Sequence, residues 1–120
     1  MNDAAPLVRL DVRDHVATIT LDDPRRRNAM TAALGFELDD IVEHVRCERS
    51  VRAVVLTGAG AAFSAGGDLE MLGQLRALGF KRARDFMLGF YARYLSVTAL
   101  EVPVVAAVHG AAIGAGLCVA

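Results

Sequence analysis

Apolar and polar positions alternate at the start of the chain and then change to a helical period. Residues 7–13 and 15–21 predict two strands joined in a hairpin, since apolar side chains recur at every second position. From Thr31, a suitable N-cap, to about Arg46, the apolar side chains instead fall on one stripe of a helix. The pattern therefore predicts a strand hairpin followed by an amphipathic helix.

Two short apolar runs in the second half of the chain, residues 51–57 and 104–108, predict buried strands. Helices are predicted at residues 68–78 and 81–96, and another begins near Ile113. The resulting order β-β-α-β-α-α-β-α favours an α/β fold with right-handed crossovers. A chain of 120 residues forms at most one domain.

One arrangement occurs twice along the chain: an apolar strand leads into a turn of Gly, Ala and Ser residues before a helix. If the strands are parallel, both turns lie at the same edge of the sheet, where open α/β sheets bind ligands. The side chains between residues 58 and 67 are too small for acid–base chemistry, so backbone N–H groups are the candidate functional groups. We expect two of them to converge as an oxyanion hole. The alternative is a small-residue turn packed beneath larger neighbours.

Composition narrows the classes of partner. A formal net charge of −1 gives no reason to expect nucleic acid, and no pattern of metal ligands is present. Two cysteines form no disulfide framework and the first residues lack a signal core, so we expect a cytoplasmic protein or one of another reducing compartment. We interpret Cys47 as a small core filler. The arginines of residues 25–27 are able to bind phosphates, but the residues alone favour a solvated loop.

Residues 102–120 carry almost no charge and approach the length of a membrane span. Pro103 and His109 interrupt this stretch, so a buried strand, a turn and a buried helix explain it better, and we expect no membrane span. The predicted helix that begins near Ile113 has only two turns by Ala120 and lacks a C-cap residue. We therefore expect the sequence to be the N-terminal piece of a longer protein.

Several segments together resemble the crotonase superfamily, the enoyl-CoA hydratase/isomerase family. They are Asp23-Pro24, Asn28-Ala29-Met30, Val54-Val55-Leu56-Thr57-Gly58, Ala62-Phe63-Ser64-Ala65-Gly66-Gly67-Asp68-Leu69, Pro103-Val104, Ala107-Val108-His109-Gly110 and Gly114-Ala115-Gly116. The resemblance implies an α/β spiral of ββα and βαβ units, truncated before the C-terminal helical region. Residues 1–120 would be the N-terminal portion of a single crotonase-like domain. It also implies a homotrimer or a dimer of trimers.

The same resemblance implies an acyl-CoA thioester as the substrate and no cofactor. The thioester carbonyl would be held by the backbone N–H groups of Ser64 and Ala115, where Ala replaces the usual Gly but keeps the N–H. Residues 25–29 would lie near the CoA adenine and phosphates, and residues 64–68 near the thioester and pantetheine. The residues implied to contact substrate are Arg25, Arg27, Ala29, Ala62, Ser64, Ala65, Gly66, Gly67, Asp68 and Gly114.

The sequence departs from the family's hydratases at the acid and base. Hydration requires groups that activate water and handle the α-carbon proton. Hydratases of the family use two glutamates; Cys118 stands at the first position, and the second falls after Ala120. We interpret Cys118 as a packing residue and Asp68 as a helix cap.

Three alternatives to an enoyl-CoA hydratase follow. A double-bond isomerase needs a single base and becomes as reasonable as a hydratase. A non-catalytic crotonase-like chain could bind acyl-CoA or assemble with homologues. A dinucleotide-binding domain is disfavoured, because Phe63 stands where its third glycine should be.

Overall fold

The computed structural model describes residues 4–120 and begins with the predicted hairpin. Strand β1 (Val8–Arg13) pairs antiparallel with β2 (Val16–Leu21). Asp14 and His15 connect them with φ angles of 50° and 66°, as expected for a tight two-residue hairpin turn. The second strand therefore begins one residue later than predicted.

Within residues 4–120 the main sheet has four strands, in the order β1, β2, β3 (Ala53–Gly58) and β5 (Val104–Ala106). Strand β3 pairs parallel with β2, and β5 pairs parallel with β3. Parallel neighbours place their carboxyl ends at one edge of the sheet. The turns after β3 and β5 therefore leave the sheet on the same side, which confirms the parallel arrangement on which the predicted site depends.

Helix α1 (Ala32–Cys47) forms where the apolar stripe predicts it. The Thr31 hydroxyl accepts a hydrogen bond from the N–H of Leu34 at 3.2 Å, which confirms the N-cap. Gly35 lies in the helix interior because a Cβ there would approach the ring of Tyr94 to 2.8 Å. Cys47 follows the last buried position of the stripe and is exposed, so its interpretation as a core filler is wrong.

Two further helices, α2 (Leu69–Arg76) and α3 (Phe80–Tyr94), follow as predicted within two residues at each end. A 3-10 turn, Ser96–Ala99, continues the chain where α3 was predicted to end. On α3, Phe90 and Tyr94 are buried with their ring centroids 4.9 Å apart. The core lies between the face of α3 that carries Phe90 and Tyr94, helix α1 and the main sheet.

A second, two-stranded sheet was not predicted. Strand β4 (Ala62–Ser64) pairs parallel with β6 (Ala111–Ala112), and helix α4 (Ala115–Val119) follows. Both strands lie in the segments interpreted as small-residue turns. They are too short, and too poor in β-branched residues, to give a strand pattern in the sequence.

The prediction of buried elements over residues 102–120 is only partly correct. Strand β5 is shorter than residues 104–108, and Val105 is 59% exposed. Ile113 and Leu117 are also exposed, because within residues 4–120 no element covers this apolar face. The described helices are all too short or too polar to cross a membrane.

Candidate active site

The two Gly/Ala-rich turns meet at Ser64. The carbonyl oxygen of Ser64 accepts a hydrogen bond from the N–H of Ile113 at 3.0 Å. Gly116 packs directly on the same residue, and a Cβ at position 116 would lie 2.8 Å from the Cβ, the carbonyl oxygen and the Oγ of Ser64. A side chain at position 116 would therefore push the two segments apart, which explains the glycine.

Gly66 brings the first segment against the residues before α4. It has a φ of 86°, and a Cβ would lie 2.5 Å from the carbonyl oxygen of Ile113 and 3.7 Å from the amide nitrogen of Ala115. Residues 64–66 and 113–116 thus face each other through their backbones. The structure brings together the segments that carry the two predicted N–H donors, Ser64 and Ala115.

The Ser64 side chain is already engaged in hydrogen bonds and is 1% exposed. Its Oγ donates to the backbone carbonyl of Asn28 at 2.8 Å and accepts from the N–H of Gly66 at 3.2 Å. A hydroxyl held in this way supports the backbone conformation of the loop.

Ser64 pairs with Ala112 in the β4–β6 ladder, so its N–H faces strand β6. The prediction that this N–H binds substrate is therefore wrong. The N–H groups of Ala65, Gly66 and Asp68 are bonded within the protein, which leaves that of Gly67, at the cavity, as the candidate donor of this segment.

Asn28 is the residue that sequence reasoning missed. It is fully buried, with a φ of 53°. Its Oδ1 accepts from the N–H of Asp23 at 2.8 Å, and its Nδ2 donates to the carbonyls of Ala59 and Ala62, each at 3.0 Å. The sequence signal that could have identified it was an asparagine at the end of the arginine-rich loop. Asn tolerates left-handed backbone angles, and its side chain forms hydrogen bonds with the backbone of turns.

A surface cavity of about 340 Å³ opens beside these loops. Its lining residues are Arg26, Ala29, Ala65, Gly67, Asp68 and Leu69. Four of the residues that the resemblance implies contact substrate, Ala29, Ala65, Gly67 and Asp68, therefore line the same cavity. Two backbone hydrogen bonds join its sides, from the N–H of Ala65 to the carbonyl of Arg27 at 2.9 Å and from the N–H of Met30 to the carbonyl of Gly66 at 2.7 Å.

The arginines point in different directions because Pro24–Arg26 forms a 3-10 turn. Arg26 lines the cavity, whereas Arg25 lines a separate one beside Asp22 and Asp23. Arg27 has an exposed side chain and a φ of 53°. The structure thus places Arg26, which the resemblance did not single out, at the cavity, and it places Arg25 and Arg27 outside its lining.

The remaining predicted positions have distinct surroundings. Ala62 is buried and does not line the cavity. Gly114 has a φ of 54° and precedes the first residue of α4. The Asp68 carboxylate accepts from the N–H of Met71 at 3.0 Å, which confirms its assignment as the N-cap of α2. Cys118 is exposed, so its interpretation as a packing residue is contradicted within residues 4–120.

The chain is similar to enzymes of one family along nearly its whole length. A family model described as enoyl-CoA hydratase/isomerase matches residues 11–120. A protein described as a probable enoyl-CoA hydratase from Mycobacterium tuberculosis is 44% identical over 110 residues, which cover 92% of this chain and 42% of that protein.

Solved structures share the fold. The crystal structure of an enoyl-CoA hydratase/carnithine racemase from Magnetospirillum magneticum matches with a TM-score of 0.88 at 33% identity, covering 98% of this chain and 44% of that one. A monofunctional enoyl CoA isomerase from M. smegmatis matches with a TM-score of 0.72 at 36% identity, covering 96% and 46%. The predicted α/β fold is confirmed, and the chain spans less than half the length of these relatives.

Proposed function

The chain belongs to the enoyl-CoA hydratase/isomerase family, and we propose that it forms the thioester-binding portion of an acyl-CoA-processing enzyme. In this proposal residues 1–120 are the N-terminal portion of a single crotonase-like domain. The observation that carries the proposal is the packing of residues 64–66 against residues 113–116, which brings the segments that carry Gly67 and Ala115 together.

The proposed chemistry depends on charge that develops during the reaction. When a proton leaves or joins the α-carbon of a thioester, negative charge accumulates on the carbonyl oxygen. The N–H groups of Gly67 and Ala115 would donate to that oxygen from backbone that is already fixed. The loss of one such donor typically costs roughly 3–4 kcal/mol in the transition state.

The cavity provides a place for the rest of the substrate. Ala65, Gly67 and Asp68 line it, so a thioester held by the Gly67 N–H would extend its pantetheine arm along this wall. Arg26 lies at the same cavity. Its guanidinium is permanently charged and would bind a CoA phosphate, while Arg25 and Arg27 would act from the periphery.

We favour hydration of an enoyl-CoA as the reaction, because the M. tuberculosis relative carries that description at 44% identity. Double-bond isomerisation is the second candidate, because Cys118 stands where the family's hydratases have their first glutamate and because the M. smegmatis neighbour is an isomerase. The CoA thioester would be the substrate, with no separate cofactor. A homotrimer or a dimer of trimers, in a reducing compartment that keeps Cys47 and Cys118 as thiols, completes the proposal.

A turnover assay with the full-length protein and crotonyl-CoA tests the proposal. Loss of the enoyl absorbance with the addition of one water, detected by mass spectrometry, indicates hydration. A second assay with 3-butenoyl-CoA detects isomerisation, because the product gains a conjugated double bond without a change of mass. Binding of crotonyl-CoA without turnover of either substrate would indicate a non-catalytic acyl-CoA-binding chain. A protein that neither binds nor converts these thioesters would contradict the proposal.

A further inference from the structure

We propose that Asn28 is a positioning residue that locks the CoA-binding wall and the thioester-binding loop into one unit. Through the Ser64 hydroxyl and the Gly66 N–H, it thereby fixes the backbone that carries the Gly67 N–H. This inference rests on the proposed function. It concerns a side chain that does not line the cavity and that would touch no substrate atom.

The hydrogen bonds of Asn28 leave its amide a single orientation. Oδ1 faces an N–H group, from Asp23, and Nδ2 faces two carbonyl oxygens, from Ala59 and Ala62. A flipped amide would place a donor against a donor and an acceptor against two acceptors. Because the side chain is fully buried, water cannot replace any of these bonds.

The residues that Asn28 joins belong to both sides of the candidate site. Asp23 directly precedes the 3-10 turn that carries Arg26. Ala59 and Ala62 bracket the turn between β3 and β4. The backbone carbonyl of Asn28 then holds the Ser64 hydroxyl at 2.8 Å, so one residue fixes the arginine turn and the loop of the candidate donor.

The space around Asn28 is closed as well as polar. A Cβ at Gly58 would lie 2.7 Å from the Nδ2 of Asn28 and 2.7 Å from the carbonyl oxygen of Phe63. Gly58 therefore packs directly against the Asn28 amide, and a side chain at position 58 would displace it. An oxyanion donor acts only at the correct place and angle, and a displacement of about 1 Å at a site of this kind costs roughly 100-fold in rate.

Asn28→Asp is the sharpest probe because it keeps the shape of the side chain and removes both donors. A carboxylate oxygen would face the carbonyls of Ala59 and Ala62, so the β3–β4 turn would have to move. Tyr94→Phe is the matched control. Its hydroxyl donates to the carbonyl of Thr31 at 2.6 Å, so the variant also loses a buried side chain-to-backbone bond, but away from the cavity.

The experiment compares the full-length wild type, Asn28→Asp and Tyr94→Phe by thermal unfolding, kcat and KM with crotonyl-CoA, and the infrared carbonyl stretch of bound butyryl-CoA labelled with carbon-13. Donated hydrogen bonds lower a carbonyl stretching frequency. We expect both variants to lose stability. Only Asn28→Asp should lower kcat by roughly 10- to 100-fold, by a larger factor than it raises KM, and return the stretch toward that of free butyryl-CoA.

A folded Asn28→Asp variant with wild-type kcat and carbonyl frequency would overturn the inference. If Asn28→Asp does not fold, Ser64→Ala provides the test of the inference. This variant removes the hydroxyl that links Asn28 to the donor loop and leaves the backbone N–H groups of the loop in place. An unchanged carbonyl frequency in Ser64→Ala would then overturn it. Failure of the proposed function is distinguishable, because the wild type itself would then give no shifted carbonyl band.

Discussion

The hydroxyl of Ser64 donates a hydrogen bond to the backbone carbonyl of Asn28 at 2.8 Å. It also accepts one from the N–H of Gly66 at 3.2 Å. The only hydroxyl in the Gly/Ala-rich loop of residues 58–67 therefore supports the loop. Ser64 thus acts through its side chain, which holds in place the backbone that carries the candidate donor Gly67.

Ser64→Ala is expected to retain most of the turnover of the full-length protein. The variant keeps the backbone N–H groups of the loop and loses two buried hydrogen bonds, so stability should fall by about 1–2 kcal/mol and kcat by less than about tenfold. Steady-state kinetics and urea unfolding check both values. A loss of roughly 10⁶-fold, the size found when a catalytic nucleophile is removed, would show that the hydroxyl itself reacts.

Gly66→Ala is expected to lower kcat roughly 100-fold. The added Cβ would lie 2.5 Å from the carbonyl of Ile113 at a φ of 86°, so the Ala115 segment must move away from the segment that carries Gly67. Gly73→Ala is the matched control, because a Cβ in that helical position meets nothing within 4 Å. The control should keep wild-type kcat and gain about 0.4–1 kcal/mol of stability. Equal kcat values in the two variants would contradict the assignment of Gly66 to the donor loop.

Arg26→Ala is expected to raise the KM for crotonyl-CoA roughly fivefold, with little change in kcat, since an exposed ion pair contributes up to about 1 kcal/mol. The effect should shrink as salt screens the charge. Arg46→Ala serves as the control, because Arg46 pairs with Glu43 on the exposed face of α1. The same rise in KM in both variants would indicate a general effect of protein charge and would remove Arg26 from the phosphate site.

Tyr94 is expected to make stability depend on alkaline pH. Burial raises the pKa of its phenol above the ordinary value, against a smaller opposing effect of the hydrogen bond to Thr31. The folded state therefore favours the neutral phenol, so its contribution is complete below about pH 10 and declines as pH rises above it. Urea unfolding of wild type and Tyr94→Phe at a series of pH values measures this contribution. A stability difference that stays constant across the series would refute it.

Local features were predictable from the sequence because neighbouring residues determine them. The caps at Thr31 and Asp68 depend on bonds to residues three positions away. Asn28 was missed because its partners Ala59 and Ala62 lie 31 and 34 residues further along the chain. The pairing of β4 with β6 likewise depends on contacts between distant segments. Arg26 could not be distinguished from its neighbours until the 3-10 turn oriented the three side chains.

The resemblance supplied what the residue pattern could not, namely which small residues face each other. From the pattern alone, the Gly/Ala-rich turns favoured an anion-binding loop and a packed turn about equally. The positive φ of Gly66 and the close packing of Gly116 on Ser64 show that the turns are also packed against each other. The two interpretations are therefore compatible, since the packing is what brings the candidate donor segments together.

A crystal structure of the full-length protein with bound butyryl-CoA tests the central claim most directly. Butyryl-CoA lacks the double bond, so it binds without being hydrated. We predict that its thioester oxygen lies about 2.7–3.1 Å from the backbone nitrogens of both Gly67 and Ala115. A thioester oxygen that contacts neither nitrogen would contradict the account, even if the CoA moiety occupied the cavity beside Arg26.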